Sequence, residues 1–169
     1  MNAVPEHPVA GTKTVTWADP RTSAAAAKTM SGLAFMQALV AGTLPPPPIL
    51  ALMNMSAVAV ELGRVEFRCV PDESHYNPIG TVHGGFACTV LDSVLGCAIQ
   101  TTLPLGQAYT SLDITVSYLR AVSSDSGELT AVGTVTKPGN RAGFAQAELR
   151  DADGRLLATA SSTLLVFPV

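Results

Sequence analysis

Charge is scarce in this chain, and none of it is concentrated in one sign. Only 14% of the 169 residues are Asp, Glu, Lys or Arg, and ten basic side chains stand against thirteen acidic ones. The resulting net charge of −3 argues against nucleic acid as the main partner, because neutralising phosphates needs a clustered basic face. Cysteine is scarce too: three residues, an odd number, with no CxxC spacing. That excludes a disulfide framework and a zinc-type pair, and fits a reducing, cytoplasmic compartment with inert thiols. Long hydrophobic runs are missing. The longest, Ile49 to Val60, is too short to span a bilayer and is interrupted by Asn54. The N-terminus lacks a basic segment followed by an apolar one, so neither a secretory signal nor a membrane partner is expected.

What is present is apolar surface. Hydrophobic residues make up 47% of the chain, enough for a sizeable core and for further burial in an oligomer. No internal repeat is visible. Residues 1 to about 20 show little periodicity. From Thr22 or Ser23 an alanine-rich run reads as one helix through Val40, with Gly42 as its stop. The stretch Leu44 to Pro48 (LPPPP) is stiff and divides the chain into an extension, 1–44, and a main domain, 45–169.

In the main domain, Met55 to Glu61 and Arg64 to Pro71 flank Leu62-Gly63 and read as a hairpin. Val65, Phe67 and Cys69 alternate with Glu66 and Arg68, the period of a half-buried strand. Residues 84 to about 101 form one long helix, apolar almost all round and so covered on most sides. Strands follow at Tyr109–Leu119, Glu128–Lys137, Arg141–Asp151 and Leu156–Phe167. Pro138-Gly139 suits a type II turn and Asp153-Gly154 a tight hairpin turn. This order predicts an α+β fold: a curled antiparallel β-sheet wrapped around one long central helix.

One residue contradicts the apolar pattern. Asp92 sits inside the long helix, and no Lys or Arg lies between Arg68 and Arg120 to neutralise it there. A buried carboxylate without a partner is expensive, so it is normally paired or functional. At the start of the same helix, Gly84 presents an unpaired N–H at the positive end of the helix dipole, suited to an oxyanion.

Asn77, Gly80, His83-Gly84-Gly85 and Asp92, followed by the strand SLDITVSYLR at 111–120, resemble the hotdog-fold thioesterases. The resemblance is to the phenylacetic-acid-pathway type of acyl-CoA thioesterase and covers roughly residues 45 to 167. It implies hydrolysis of a coenzyme A thioester without a metal or other cofactor. Asp92 would act as general base or nucleophile. Gly84 would be the oxyanion donor, Asn77 a positioning amide, and His83 an orienting residue of the loop. Ser111 matches a hydroxyl that holds the water or the acid, with Thr110 as its substitute in another register. Gly85 serves the loop-to-helix join beside the substrate. Arg120, Lys137 and Arg141 are candidate partners for the coenzyme A phosphates. Phe35, Tyr76, Phe86 and Tyr109 are candidates for the acyl pocket. Cys88 and Cys97 read as small core residues rather than nucleophiles.

Distance bears on assembly. Gly84 and Asp92 are eight residues apart, about 12 Å along one helix, too far for both to serve one thioester group. Two such helices meeting antiparallel across a two-fold axis would pair Gly84 of one subunit with Asp92 of the other. The resemblance implies the same homodimer, often as a dimer of dimers. Two other readings compete. The hotdog dehydratases carry an acid five residues before the histidine, where this chain has Pro78 before His83. A non-catalytic acyl-CoA-binding or sensor module on the same fold should lack the helix acid.

Overall fold

The structure, a computed structural model, describes residues 10–169. Its centre is α4, Gly84–Thr102, a 19-residue helix with Val90, Leu91, Val94, Leu95 and Ala98 fully buried. Around it curls one antiparallel seven-stranded sheet in the order β1-β2-β5-β6-β7-β3, with β4 also paired to β7. The strands are β1 (Met55–Glu61), β2 (Arg64–Cys69), β3 (Gln107–Ser111), β4 (Thr115–Tyr118), β5 (Leu129–Lys137), β6 (Ala142–Arg150) and β7 (Leu156–Pro168). Alternate residues of β2 and β6 (Val65, Phe67 and Cys69; Ala145, Ala147 and Leu149) point inward and are buried against the helix. The hairpin, the long helix and the wrapped sheet match the sequence reading closely.

Four local expectations need correction. The strand expected over Tyr109–Leu119 is interrupted at 112–114, because Asp113 substitutes for the ladder. Its carboxylate accepts from the Thr163 N–H (3.0 Å), and its carbonyl accepts from the Ser162 hydroxyl (2.6 Å). Leu112, in the interruption, and Tyr118, at the end of β4, are both more than half exposed. The turn at 138–139 is not type II, since Gly139 does not adopt positive φ. Its missing side chain matters for another reason: a Cβ there would lie 1.9 Å from the Ala142 carbonyl oxygen. The turn at Asp153-Gly154 is tight as expected, with Gly154 at φ +78° and its N–H bonded to the Asp151 carbonyl.

The third correction concerns the extension. The single helix expected from Thr22 or Ser23 to Val40 is two, α1 (Pro20–Ala27) and α2 (Gly32–Val40). Asp19 caps α1, and Ser31 caps α2 by accepting from the Ala34 N–H. Ser23 instead donates to the Pro45 carbonyl (2.6 Å). The break has a tertiary cause. Gly32 is pressed against the end of α4: its N–H bonds to the Leu103 carbonyl at 2.9 Å. A Cβ at Gly32 would stand 1.7 Å from the Gln100 carbonyl oxygen. Helix α2 ends near Gly42, as expected, with that glycine at φ +71°.

The fourth concerns the proline run. Pro47 and Pro48 start a short helix, α3 (Pro48–Leu52), where a proline at the first position costs no hydrogen bond. Beyond it the chain enters β1. Met36 of α2 is 1% exposed and belongs to the same buried cluster as Phe67 and Leu91. The extension therefore shares the core of the domain expected to begin at residue 45.

Candidate active site

Helix α4 and strand β3 bring two of the expected residues together. The Ser111 hydroxyl donates to Asp92 Oδ1 at 2.8 Å. Neighbouring residues of a strand face opposite sides, so Thr110, exposed on β3, does not share this contact. Asp92 is half-buried rather than sealed in the core. Among the described residues no Lys, Arg or His forms an ion pair with it. Oδ1 is thus held in place, and no described residue donates to Oδ2.

Asp92 and Ser111 lie at the edge of a cavity of about 560 Å³. The rest of its lining is mainly apolar, with Met36 and Leu39 from α2, Leu50 from α3, Met55 from β1 and Phe67 from β2, and its other hydroxyls come from Ser56, Ser93 and Tyr109. Among the described residues no Lys or Arg lines it. Of the four aromatic residues expected to shape an acyl pocket, Tyr109 alone lines this one. Phe86 is buried against His75, with ring centroids 4.6 Å apart, and Tyr76 bonds Ser124 through its hydroxyl. Phe35 of the extension, expected at the pocket, does not line it, whereas Met36 and Leu39 do; apolar helix positions that line a cavity look the same in sequence as those that fill a core.

The other expected residues gather at the N-terminus of α4. His83 is the N-cap, and its Nδ1 accepts from the Gly85 N–H at 2.8 Å, which fixes the ring as the Nε2–H tautomer. The neighbouring Gly84 N–H has no acceptor among the described residues and remains available at the positive end of the helix. Tyr118 of β4 donates its hydroxyl to the Gly84 carbonyl (3.1 Å) and packs its ring beside that glycine. A second, smaller cavity of about 290 Å³ opens here, lined by His83, Gly84, Tyr118 and Arg120. Asn77 sits in the preceding loop with its amide largely engaged. Its Oδ1 accepts from the Ile79 and Thr81 N–H groups, and its Nδ2 donates to Thr81 Oγ1.

The three expected phosphate partners do not share one surface of the chain. Arg120 follows β4 and donates to the Leu156 carbonyl at the start of β7. Lys137 and Arg141 flank the β5–β6 turn, where Arg141 accepts through its carbonyl from the Val166 N–H near the end of β7. Those two points are ten residues apart on β7, roughly 33 Å measured along the strand.

The thiols are chemically quiet. Burial, with the nearby Asp92 charge, pushes Cys97 up to about 12 despite an opposing hydrogen bond from Tyr109. Burial likewise pushes Cys69 up to about 12, helped by Glu128. Neither supplies a thiolate near neutral pH; Cys69 is buried in the core, whereas Cys97, expected there, is partly buried and lines the cavity.

A curled antiparallel sheet wrapped on one long helix defines the fold as a hotdog, and the half-buried carboxylate, the free helix-terminal amide and the mainly apolar cavity all belong to that helix or border it. The comparisons point to a thioester hydrolase: residues 79–158, just under half of the chain, match the thioesterase superfamily. Human acyl-coenzyme A thioesterase 13 is 27% identical over 113 residues, covering 66% of this chain and 79% of that protein. A phenylacetic acid degradation-related protein from Ralstonia eutropha JMP134 is 27% identical, with a TM-score of 0.70 over 77% of this chain and 98% of its own. A thioesterase from Haemophilus influenzae shares the fold at 24% identity and a TM-score of 0.66, covering 71% and 82% of the two chains. No helix among the described residues is long and apolar enough to cross a membrane.

Proposed function

We propose that the protein hydrolyses acyl-coenzyme A thioesters to the free acid and coenzyme A. The observation that carries this reading is Asp92, held by Ser111 at the edge of an apolar cavity without a neutralising cation. Similarity to acyl-coenzyme A thioesterase 13 supports coenzyme A as the thiol half of the substrate. Asp92 takes a proton from water while that water attacks the thioester carbonyl, or its carboxylate attacks the carbon directly and water then hydrolyses the anhydride. In either route the tetrahedral oxyanion is stabilised by the Gly84 N–H, and the C–S bond breaks as the sulfur leaves as thiolate and takes up a proton.

The two groups act on one thioester only if they come from different subunits. Their eight-residue separation, about 12 Å along α4, supports a homodimer in which Gly84 of one chain faces Asp92 of the other. The outer edge of β3 and the exposed Leu112, Tyr118 and Leu119 supply an apolar surface beside both groups for such a pairing.

The test is direct. Purified protein is incubated with a panel of acyl-coenzyme A substrates, and free thiol is followed. Release dependent on Asp92 supports the reading. Tight acyl-coenzyme A binding without thiol release from any of them would replace it with a non-catalytic binding module.

A further inference from the structure

Resting on that reading, we infer that helix α2 of the N-terminal extension and helix α3, which follows it, form the wall of the acyl site and set acyl-chain length. The cavity that starts at Asp92 and Ser111 does not end in the hotdog domain itself. Its lining continues onto α2 and α3, with Leu39 and Leu50 joining Asp92 of α4 and Phe67 of β2 around the same space. A thioester carbonyl placed at Asp92 directs its acyl chain into this space.

The lining decides what chemistry fits. No Lys or Arg faces the cavity, so a dicarboxylic acyl group would bury an unpaired negative charge and is rejected. For the same reason the nucleotide phosphates of coenzyme A lie outside it. Its hydroxyl, thiol and carboxyl groups come from Ser56, Asp92, Ser93, Cys97, Tyr109 and Ser111, while α2, α3 and the segment between them supply only apolar side chains and glycine. The occupant is therefore an uncharged, apolar acyl group. A volume of about 560 Å³ lies in the usual range for small-ligand pockets and exceeds the needs of acetyl.

The wall is built in rather than draped on. Gly32 anchors α2 to the end of α4 through the Leu103 carbonyl, and Met36 enters the common core. Leu39, one turn further along the same helix, is consequently held at a fixed distance from α4. Leu39 and Leu50 are partly buried against the core and also line the cavity, so a larger side chain at either has cavity volume to enter.

The test uses the full chain with saturated acyl-coenzyme A substrates from acetyl to decanoyl. In the wild type, kcat/KM should rise by up to about fourfold per methylene over the first few carbons and then level off. Leu39→Trp and Leu50→Trp, one on each helix, should each cut the ratio of octanoyl to acetyl kcat/KM at least tenfold. Thermal melts select the variants that remain folded. Calorimetric binding to the Asp92→Asn protein gives a second readout: the negative heat-capacity change should grow with chain length in that background and stop growing when either Trp is added. A flat wild-type length profile, or two folded Trp variants with an unchanged octanoyl-to-acetyl ratio, would overturn the inference while leaving the hydrolase reading intact. Absence of hydrolysis across the whole series would instead remove the hydrolase reading on which it rests.

Discussion

Ser111 and Asp92 are joined across 2.8 Å, the serine hydroxyl donating from strand β3 to a carboxylate oxygen on helix α4. The bond does two things at once. It fixes the carboxylate rotamer, and it leaves the second oxygen for a substrate or water. Removing the donor with Ser111→Ala should lower kcat by about 10- to 100-fold, the range for a hydrogen bond to a charged group. Because Ser111 is exposed, the melting temperature should hardly move. Steady-state kinetics beside a thermal melt checks both. A variant with wild-type kcat would show that Asp92 needs no support from β3.

Asp92→Asn keeps the shape of the side chain and removes the base. Turnover should fall by roughly 10²–10⁴-fold, with acyl-coenzyme A affinity retained. Equilibrium binding and free-thiol release on the same folded preparation separate the two effects. Retention of even a third of the turnover would make the carboxylate structural.

Much of this architecture is legible in the sequence because periodicity reports burial. The alternation in Val65, Phe67 and Cys69 and the apolar run of α4 each point to one element in one environment. The misreadings share a cause: a distant partner overrides a local pattern. Alanines 24–27 and the apolar residues after Gly32 look continuous, yet contact with Gln100 and Leu103 splits them. Alternation from Tyr109 to Leu119 looks unbroken, yet Asp113 captures the Thr163 N–H and interrupts it. The site was half legible. Asp92 stands out as a charge in an apolar helix, and Ser111 only by family resemblance. The cavity wall could not be read, since nothing in Leu39 or Leu50 distinguishes a lining residue from a packed one.

Gly32→Ala tests the anchor of that wall. A Cβ there would fall 1.7 Å from a backbone oxygen, so α2 must move as a body. Overpacking of this kind costs about 1–3 kcal/mol, which for a domain of this size lowers the melting temperature by roughly 3–10 °C. Calorimetry on the full chain measures it. An unchanged transition would mean that the join between α2 and α4 carries no stability.

The segment before α1 is fastened by Lys13, whose ammonium bonds Asp72 (3.1 Å), the Leu52 carbonyl and Ser74. Burial acts against the charged form of Asp72. Hydrogen bonds from Ser74, Lys13 and Asn54 outweigh it and hold the carboxyl well below the usual range. A depressed folded value means stability that is fully present above the unfolded value near 3.9 and is lost as pH falls towards the folded one. Lys13→Met should therefore lower the melting temperature by about 2–4 °C at pH 7, a modest effect because the pair is partly exposed. The gap should narrow below about pH 4. Melts at pH 7 and pH 3 decide it: equal gaps would assign the role of Lys13 to the Leu52 carbonyl instead.

The oxyanion amide can be deleted almost without disturbing its helix. Gly84 is the first residue of α4, the position where proline is best tolerated, and His83 before it has φ −60° and ψ 136°, a conformation that a following proline accepts. Gly84→Pro removes only the N–H, at the cost of a small shift of the Tyr118 ring, which lies 3.2 Å from a Cβ placed there. Turnover should fall about 10²–10³-fold, as for loss of one oxyanion donor. The same variant tests the shared site. A Gly84→Pro homodimer has a lesion in both sites, and so does an Asp92→Ala homodimer. In a mixed dimer, one site collects both lesions, while the other pairs an intact Gly84 with an intact Asp92. Random subunit exchange makes about half of all two-fold dimers mixed, each with one good site, so activity should recover to about a quarter of wild type. Mixing wild type with the doubly substituted chain is the control, since no site in those mixed dimers is intact. If exchange is verified by mass spectrometry and no activity returns, Gly84 and Asp92 do not serve one thioester across the two-fold axis, and the shared site must be abandoned.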